Sequence, residues 1–197
     1  MPSPGSEGHD GHSGHDDHDV RNDPRWRSAV VTSSDGVAYG HREDGSGAAV
    51  QAALEAAGFA VLRREVVPDD RERIAACLAA LADSGEVALV AVTGGTGFGP
   101  RDVTPEATTD VIDRAAPGLA EAMRSAGRAL TPMADLSRGV CGIRGSVLIL
   151  NLPGSPRGAT ESLAAVLALL PHALDLLGGD TRRHPAGHGE HGTVPGG

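Results

Sequence analysis

Residues 87–108, VALVAVTGGTGFGPRDVTPEAT, place an apolar run directly before a glycine-rich loop and a helix start. The run at 87–92 is apolar at every position, which is typical of a central parallel strand that is covered on both faces. Parallel α/β sheets bind their ligands at the carboxyl ends of the strands. The loop at 93–97 lies at such an end, so this stretch predicts both a fold and the position of a site.

The rest of the chain alternates between strand and helix patterns. Three further strands are predicted at 26–33, 59–67 and 146–152. Pro171 lies inside the last helical segment and is expected to kink or restart that helix. This alternation predicts an α/β protein with a parallel sheet flanked by helices. The apolar residues at helical spacing are Val50, Ala53, Leu54 and Ala57, then Ile74, Cys77, Leu78 and Leu81, and finally Leu163, Val166, Leu167, Leu170, Leu174 and Leu177.

The composition limits the classes of function. The formal net charge is −9, which argues against nucleic acid as a partner. No apolar run approaches the ~20 residues of a membrane span, and the amino terminus lacks an apolar signal segment, so we expect a cytoplasmic protein with no membrane contact. All 17 basic residues are arginine, which excludes Schiff-base chemistry and the P-loop lysine. The two cysteines, Cys77 and Cys141, lack the spacing of a zinc or redox pair.

Two terminal segments differ in composition from the residues between them. Residues 1–24, rich in His and Asp, and residues 181–197, rich in His and Gly, are polar and nearly free of large apolar side chains. Both are predicted to be disordered, which leaves one domain at 25–180. Their histidines suit Ni²⁺, Zn²⁺ or Cu²⁺, with an affinity that the ordering entropy of a disordered tail keeps modest. These histidines are His9, His12, His15, His18, His184, His188 and His191.

The loop TGGTG at 93–97 has the properties of an anion cradle. Glycines let backbone N–H groups approach a phosphate with no Cβ in the way, although an ordinary strand-to-loop turn also explains them. Asp102 favours a metal-dependent site, because a carboxylate beside an anion cradle repels the anion unless a divalent cation lies between them. This arrangement indicates Mg²⁺-assisted phosphate chemistry.

Helix-start signals offer competing explanations for several polar residues. Thr104, Pro105 and Glu106 suit the N-cap, the first turn and the positive end of a helix. Asp69 precedes Glu72 by three residues, which is the spacing of a capping box. The residues alone therefore favour a cap over a catalytic role for Asp69.

Three more loops carry polar side chains toward the same end of the sheet. They are EDGSG at 43–47, LSRG at 136–139 and NLPGSPRG at 151–158. Turn chemistry, including a helix cap by Ser46, explains each loop separately. Four such loops at one end of the sheet nevertheless favour a shared site.

These motifs, in this order, resemble those of the MogA/MoaB family of molybdenum cofactor biosynthesis. The resemblance rests on VVPDD at 66–70, TGGTGFGPRDVTPEAT at 93–108, LSRG and NLPGSP, and it extends from about Trp26 to Asp180. It implies a three-layer α/β/α fold with a mostly parallel sheet that assembles as a homotrimer or as a hexamer of paired trimers. It also implies a molybdopterin adenylyltransferase, which uses ATP and Mg²⁺ to make adenylyl-molybdopterin and pyrophosphate, with a molybdenum insertase as a partner.

The resemblance also implies roles for individual residues. Asp69 and Asp102 correspond to the two acidic residues implicated in catalysis, and both are candidate Mg²⁺ ligands. The loops supply the candidate contacts to nucleotide and pterin. These contact residues are Ser34, Asp44, Ser46, Gly47, Thr93, Gly94, Gly95, Thr96, Gly97, Ser137, Asn151, Pro153, Gly154 and Ser155.

One residue departs from the family pattern. In SSDG at 33–36, Gly36 stands where many relatives have arginine. If that arginine contacts phosphate, a weaker affinity or activity is expected here, unless Arg42 takes its place. Two alternatives to the transferase therefore stay open: a non-catalytic molybdopterin-binding paralogue, and a metal-handling protein that uses its histidine-rich tails.

Overall fold

A six-stranded sheet forms the centre of the protein, whose computed structural model describes residues 23–179. The histidine-rich segments of both termini lie outside the described residues. The strands are β1 (Arg27–Ser33), β2 (Ala60–Val67), β3 (Leu89–Thr93), β4 (Arg114–Ala115), β5 (Cys141–Arg144) and β6 (Val147–Leu152). The helices are α1 (Asp35–Ala38), α2 (Gly45–Ala56), α3 (Arg71–Asp83), α4 (Thr104–Val111), α5 (Pro117–Arg128), α6 (Pro156–Leu167) and α7 (Leu170–Leu177).

The sheet is mostly parallel, as predicted. Its strand order is β2-β1-β3-β6-β5-β4, and the first four strands of this order pair in parallel. The last two pairings, β6 with β5 and β5 with β4, are antiparallel. The short strands β4 and β5 form an edge that the sequence patterns do not predict, because so few residues give no readable alternation.

Two layers of helices cover the sheet, which confirms the three-layer α/β/α fold. In β3 every residue is buried, and alternate side chains point to opposite faces. Leu89 and Ala91 belong to the core beneath α2, α5, α6 and α7. Val90 and Val92 belong to the core beneath α3 and α4. The uniformly apolar run therefore reflects burial on both faces, as expected for a central parallel strand.

The predicted break in the last helix is confirmed. α6 ends at Leu167, and α7 restarts with Pro171 in its first turn, at an angle of 64°. Within residues 23–179 no single helix has the length and apolarity that a membrane crossing requires, and α6 and α7 reach that length only as this bent pair.

The two cysteines are predicted to react slowly with thiol reagents in the folded protein. Burial raises the pKa of Cys141 to about 12, and burial together with the charge of Glu65 raises the pKa of Cys77 to about 11. At pH 8 fewer than about one in a thousand of either thiol is ionised, against about a quarter in an unfolded chain. Labelling with a disulfide reagent at pH 8, followed by peptide mass spectrometry, should modify both residues promptly only in denaturant. Rapid labelling of Cys141 in the native protein would contradict the burial described above.

Candidate functional site

A cavity of about 810 Å³ opens at the carboxyl ends of β1, β3 and β6. Its lining includes the residue that follows each of these strands: Ser34 after β1, Gly94 after β3 and Pro153 after β6. The volume lies within the range of about 300–1,000 Å³ that is common for small-molecule sites. The position is the one at which parallel α/β sheets bind ligands.

The structure brings most of the predicted site residues together around this cavity. The four polar loops of the sequence contribute to one continuous lining. The predicted residues that line it are Ser34, Ser46, Asp69, Gly94, Gly95, Thr96, Gly97, Asp102, Ser137, Asn151, Pro153, Gly154 and Ser155.

The remaining predicted contact residues, Asp44, Gly47 and Thr93, do not line the cavity but support the loops that do. Asp44 is the N-cap of α2: its carboxylate accepts from the Gly47 N–H at 2.8 Å, and it also accepts from the Thr32 hydroxyl at 2.9 Å. The predicted cap by Ser46 is therefore wrong, because the preceding carboxylate already satisfies the free N–H group of the first turn. The Thr93 hydroxyl donates to the Pro153 carbonyl at 2.7 Å and so ties β3 to the loop after β6.

Glycine is required where the loop leaves β3. Gly94 has φ of 101° and Gly95 has φ of 62°, in the left-handed region that favours glycine. A Cβ at position 94 would lie 2.2 Å from the carbonyl oxygen of Ser33 at the end of β1. The loop therefore turns directly against the neighbouring strand, and only glycine permits this approach.

The same loop contributes residues to the cavity lining whose backbone N–H groups have no acceptor within residues 23–179. The N–H groups of Gly95, Thr96 and Gly97 donate to no acceptor within residues 23–179, whereas the Gly94 N–H bonds to the Leu152 carbonyl at 3.2 Å. Consecutive free N–H groups in such a turn form a concave site for an anion. The anion cradle that the sequence predicts requires such donors, and it stays a prediction.

Asp102 lies folded into the second half of the glycine-rich loop. Its Oδ2 accepts from the Gly99 N–H at 2.8 Å, and Oδ1 accepts no hydrogen bond from the described part of the chain. Cβ atoms at positions 97 and 99 would lie 2.8 and 2.9 Å from Oδ2. The glycines therefore make room for the carboxylate as well as for a ligand, and one carboxylate oxygen stays available.

Asp69 belongs to the cavity and not to a helix cap. Its two carboxylate oxygens accept from the Ser33 hydroxyl at 2.8 Å and from the Asp35 N–H at 2.9 Å. The N-cap of α3 is Asp70, which accepts from the Arg73 N–H at 3.0 Å. The capping interpretation of Asp69 is therefore wrong: of two adjacent aspartates the second caps, which leaves the first to line the cavity.

The cap predicted for α4 is also wrong. Val103 occupies the N-cap position without a side-chain hydrogen bond, and Thr104 is the first helical residue. The Thr104 hydroxyl is buried and finds no partner among residues 23–179. It packs behind Gly95, where an added Cβ would lie 2.4 Å from it, so close packing against the loop replaces capping.

An ion pair that the sequence does not reveal joins the loops of the two candidate carboxylates. Arg101 makes a bidentate contact with Asp35, with nitrogen–oxygen distances of 2.8 to 3.0 Å. Asp35 in turn exchanges two hydrogen bonds with Asp69, one through each backbone N–H. Because Arg101 immediately precedes Asp102, this chain of contacts fixes the position of one loop relative to the other.

Arg138 anchors the glycine-rich loop from the opposite side. Its side chain donates to the Gly97 carbonyl at 2.7 Å and to the Asp102 carbonyl, and it pairs with Glu106 in the first turn of α4. The hydrogen bond from Arg138 lowers the pKa of Glu106, so this carboxylate stays ionised to lower pH than usual. The sequence predicts only a turn at 136–139, because the neighbouring residues do not indicate which distant groups Arg138 contacts.

Asn151 lines the cavity and connects three elements around it. Its side chain is buried, with the amide oxygen accepting from the Val140 N–H at 3.2 Å and the amide nitrogen donating to the Thr108 hydroxyl at 2.9 Å. These bonds join β6 to the segment before β5 and to α4.

Part of the cavity lining comes from α5 and the turn at 132–136, which the sequence patterns do not predict. Met123, Met133 and Leu136 are apolar side chains of this part. Arg124 lies beside them and donates to the Gly139 carbonyl at 2.9 Å.

A comparison with known families identifies the class of protein that this fold and site define. The model of a family described as a probable molybdopterin binding domain matches residues 29–172. The match covers most of the chain, which therefore belongs to this family.

Individual relatives narrow the comparison to the MogA/MoaB group. A molybdopterin adenylyltransferase from Helicobacter pylori is 40% identical over 77% of this chain and 87% of its own length. The crystal structure of the molybdopterin biosynthesis enzyme MoaB from Thermus thermophilus is 51% identical, with a TM-score of 0.74, and the match covers 78% of this chain and 96% of that one. These relatives confirm the resemblance seen in the motifs.

Some relatives are much longer than this chain. The molybdenum cofactor synthesis protein cinnamon from Drosophila melanogaster is 45% identical over 58% of this chain, but the match spans only 19% of the Drosophila protein. The family domain is therefore one part of such proteins.

Gly94→Ala is predicted to destabilise the protein by about 2 kcal/mol or more, because alanine at positive φ is strained and its Cβ would strike the Ser33 carbonyl. Thermal unfolding should show a fall in Tm of at least about 4 °C. Gly118→Ala in α5 is the matched control, since nothing lies within 4 Å of its added Cβ. Equal melting temperatures for the two variants would contradict the close approach at Gly94.

Arg138→Met is predicted to loosen the glycine-rich loop without unfolding the sheet, because it removes the donors to Gly97 and Asp102. Amide hydrogen exchange should become about tenfold faster or more at Gly99 and Asp102, the hydrogen-bonded amides of this loop, while the exchange of β3 stays unchanged. Arg63→Met, which breaks an exposed pair with Glu86, is the control and should leave the loop as it is. An unchanged loop in Arg138→Met would show that the anchor lies elsewhere.

Proposed function

We propose that this protein is a molybdopterin adenylyltransferase, which transfers the adenylyl group of ATP to molybdopterin. The observation that carries the proposal is the row of free N–H groups at Gly95, Thr96 and Gly97 beside the carboxylates of Asp69 and Asp102. The relatives named for this activity add support through their similarity over most of the domain.

The proposed reaction is a single displacement at phosphorus. An oxygen of the terminal phosphate of molybdopterin forms a bond to the α-phosphorus of ATP. The bond between that phosphorus and the oxygen bridging to the β-phosphate breaks, which gives adenylyl-molybdopterin and pyrophosphate. No covalent enzyme intermediate is required, so the protein contributes by positioning both substrates and by stabilising the charge on their phosphates.

Two groups of lining residues suit different parts of these substrates. The N–H groups of Gly95–Gly97 would bind phosphate oxygens, as donors fixed in place before the substrate arrives. The apolar side chains of Met123 and Met133 suit a flat heteroaromatic ring. Each substrate carries both a ring and phosphate, so the cavity offers the two chemical environments that the reaction needs.

Asp69 and Asp102 would hold a Mg²⁺ ion. The fit follows from the donor set: each carboxylate lines the cavity, and Oδ1 of Asp102 accepts no hydrogen bond from the described residues. Within residues 23–179 no group of three or more His, Cys, Asp or Glu side chains could hold a metal. Mg²⁺ ordinarily uses only one or two carboxylates, with phosphate oxygens and water completing its shell. When bound, it would neutralise phosphate charge between the aspartates and the substrate.

The proposal extends to the protein's surroundings. The family resemblance favours a homotrimer or a hexamer in the cytoplasm, and a molybdenum insertase that receives the adenylylated product. These features rest on the resemblance alone.

Asp102→Asn and Asp69→Asn are predicted to lower the rate of adenylyl transfer by at least about a hundredfold, because each removes a charge that holds the metal. The assay incubates purified protein with molybdopterin, ATP and Mg²⁺ and follows adenylyl-molybdopterin by chromatography. Asp70→Asn is a matched control: it changes the neighbouring aspartate, and asparagine also serves as an N-cap.

The outcomes separate the alternatives. Product from the wild type and from Asp70→Asn, with little from the other two variants, would support the transferase. Tight binding of molybdopterin without product would favour a non-catalytic paralogue instead. A normal rate in Asp102→Asn would overturn the role given to that residue.

A further inference from the structure

The charged side chains around the cavity differ in whether they already have a partner. Arg101 pairs with Asp35, and Arg138 pairs with Glu106. Arg42 and Arg124 line the cavity itself, and neither guanidinium has a carboxylate partner among residues 23–179. A cation that lines a cavity without a counter-ion is available to bind an anionic ligand.

The guanidinium of Arg42 is held beside the end of β1. Its Nη2 donates to the hydroxyl of Ser34 at 2.7 Å, and Ser34 lines the cavity directly after that strand. The preceding residue, Ser33, bonds to the candidate carboxylate Asp69. A guanidinium has five N–H donors, and the structure shows only one of them engaged, so the remaining donors can reach a ligand.

The side chain reaches this position by crossing over Gly36. A Cβ at position 36 would lie 3.0 Å from Nε of Arg42, 3.3 Å from Cδ and 3.4 Å from Cγ. The backbone N–H of Arg42 also donates to the Gly36 carbonyl at 3.0 Å. This bond holds the two residues close together. Because Gly36 has no side chain, the Cγ, Cδ and Nε atoms of Arg42 can occupy this space.

We propose that Arg42 binds a phosphate group of a substrate in this cavity, and that Gly36 is the positioning residue that lets it do so. The inference rests on the proposed function for the identity of the substrates, ATP and molybdopterin, either of which supplies the phosphate. The binding itself needs only a phosphate anion, so it is measured independently of catalysis. A side chain at position 36 would compete with Arg42 for the same space, so only one of these two positions can supply a guanidinium.

The test measures equilibrium binding by calorimetry with three separate probes: ATP with Mg²⁺, inorganic pyrophosphate with Mg²⁺, and molybdopterin. Arg42→Gln is expected to lower the affinity for at least one probe by about tenfold or more, because a charge-assisted bidentate contact is lost. The probe whose affinity falls identifies the source of the phosphate. Arg42→Lys should recover only part of the affinity, since an ammonium lacks the planar pair of donors.

Two further variants separate ligand binding from a structural role. Arg63→Gln removes a guanidinium of the exposed pair with Glu86, and it should bind all probes as the wild type does. The double variant Gly36→Arg with Arg42→Ala removes the Cγ and Cδ atoms that a Cβ at position 36 would meet, so it supplies a guanidinium from position 36 and should restore affinity. The melting temperature of Arg42→Gln should stay near that of the wild type, because Arg42 is exposed.

The results bear separately on this inference and on the proposed function. Wild-type affinity of Arg42→Gln for all three probes would overturn the inference even if adenylyl transfer occurs. Loss of affinity that accompanies a large fall in Tm, with no recovery in the double variant, would also overturn it. If the wild type makes no adenylyl-molybdopterin but its affinity for pyrophosphate depends on Arg42, the inference stands and the proposed function fails.

Discussion

The close approach of two backbones, at Gly94 and Ser33, is the constraint on which the site depends. Because the loop after β3 turns directly against the end of β1, its next residues cross the top of the sheet instead of leaving it. This path places Gly95–Gly97, whose N–H groups have no acceptor within residues 23–179, in the cavity lining and beside Ser33, which bonds to Asp69. A side chain at Gly94 would separate these groups, so a single steric requirement accounts for the anion cradle and its neighbouring carboxylate.

Arginine contacts then hold the loops of the site in position. Arg101 ties the loop of Asp102 to Asp35 and so to Asp69, and Arg138 ties it to α4. Each pair is partly exposed, so each contributes little to overall stability. Their value is geometric, because a guanidinium forms two parallel hydrogen bonds with one carboxylate and so fixes its direction as well as its distance.

The sequence predicts the fold and the loops better than it predicts the contacts between them. The apolar run of β3 and the helical spacing around Leu54 suffice for the layered α/β architecture, because burial determines both patterns. Residue spacing fails at Asp69, where either of two adjacent aspartates satisfies the capping pattern and only the tertiary hydrogen bonds decide between them. It fails again for Arg138, whose partners lie far along the chain. Such contacts depend on topology, which local patterns do not encode.

The balance of charge at the cavity gives a physical reason for the proposed pairing of a divalent cation with a polyphosphate. Among the charged residues that line it, Glu161 is already paired with Arg157, so the groups left for ligands are two aspartates and two arginines, Arg42 and Arg124. These four charges cancel, and the cavity then attracts a polyanion only weakly over distance. A divalent cation on the aspartates makes the total positive and also shields the phosphates from the carboxylates. The nucleotide is therefore expected to bind as its magnesium complex, with the aspartates facing the metal and the arginines facing the phosphates.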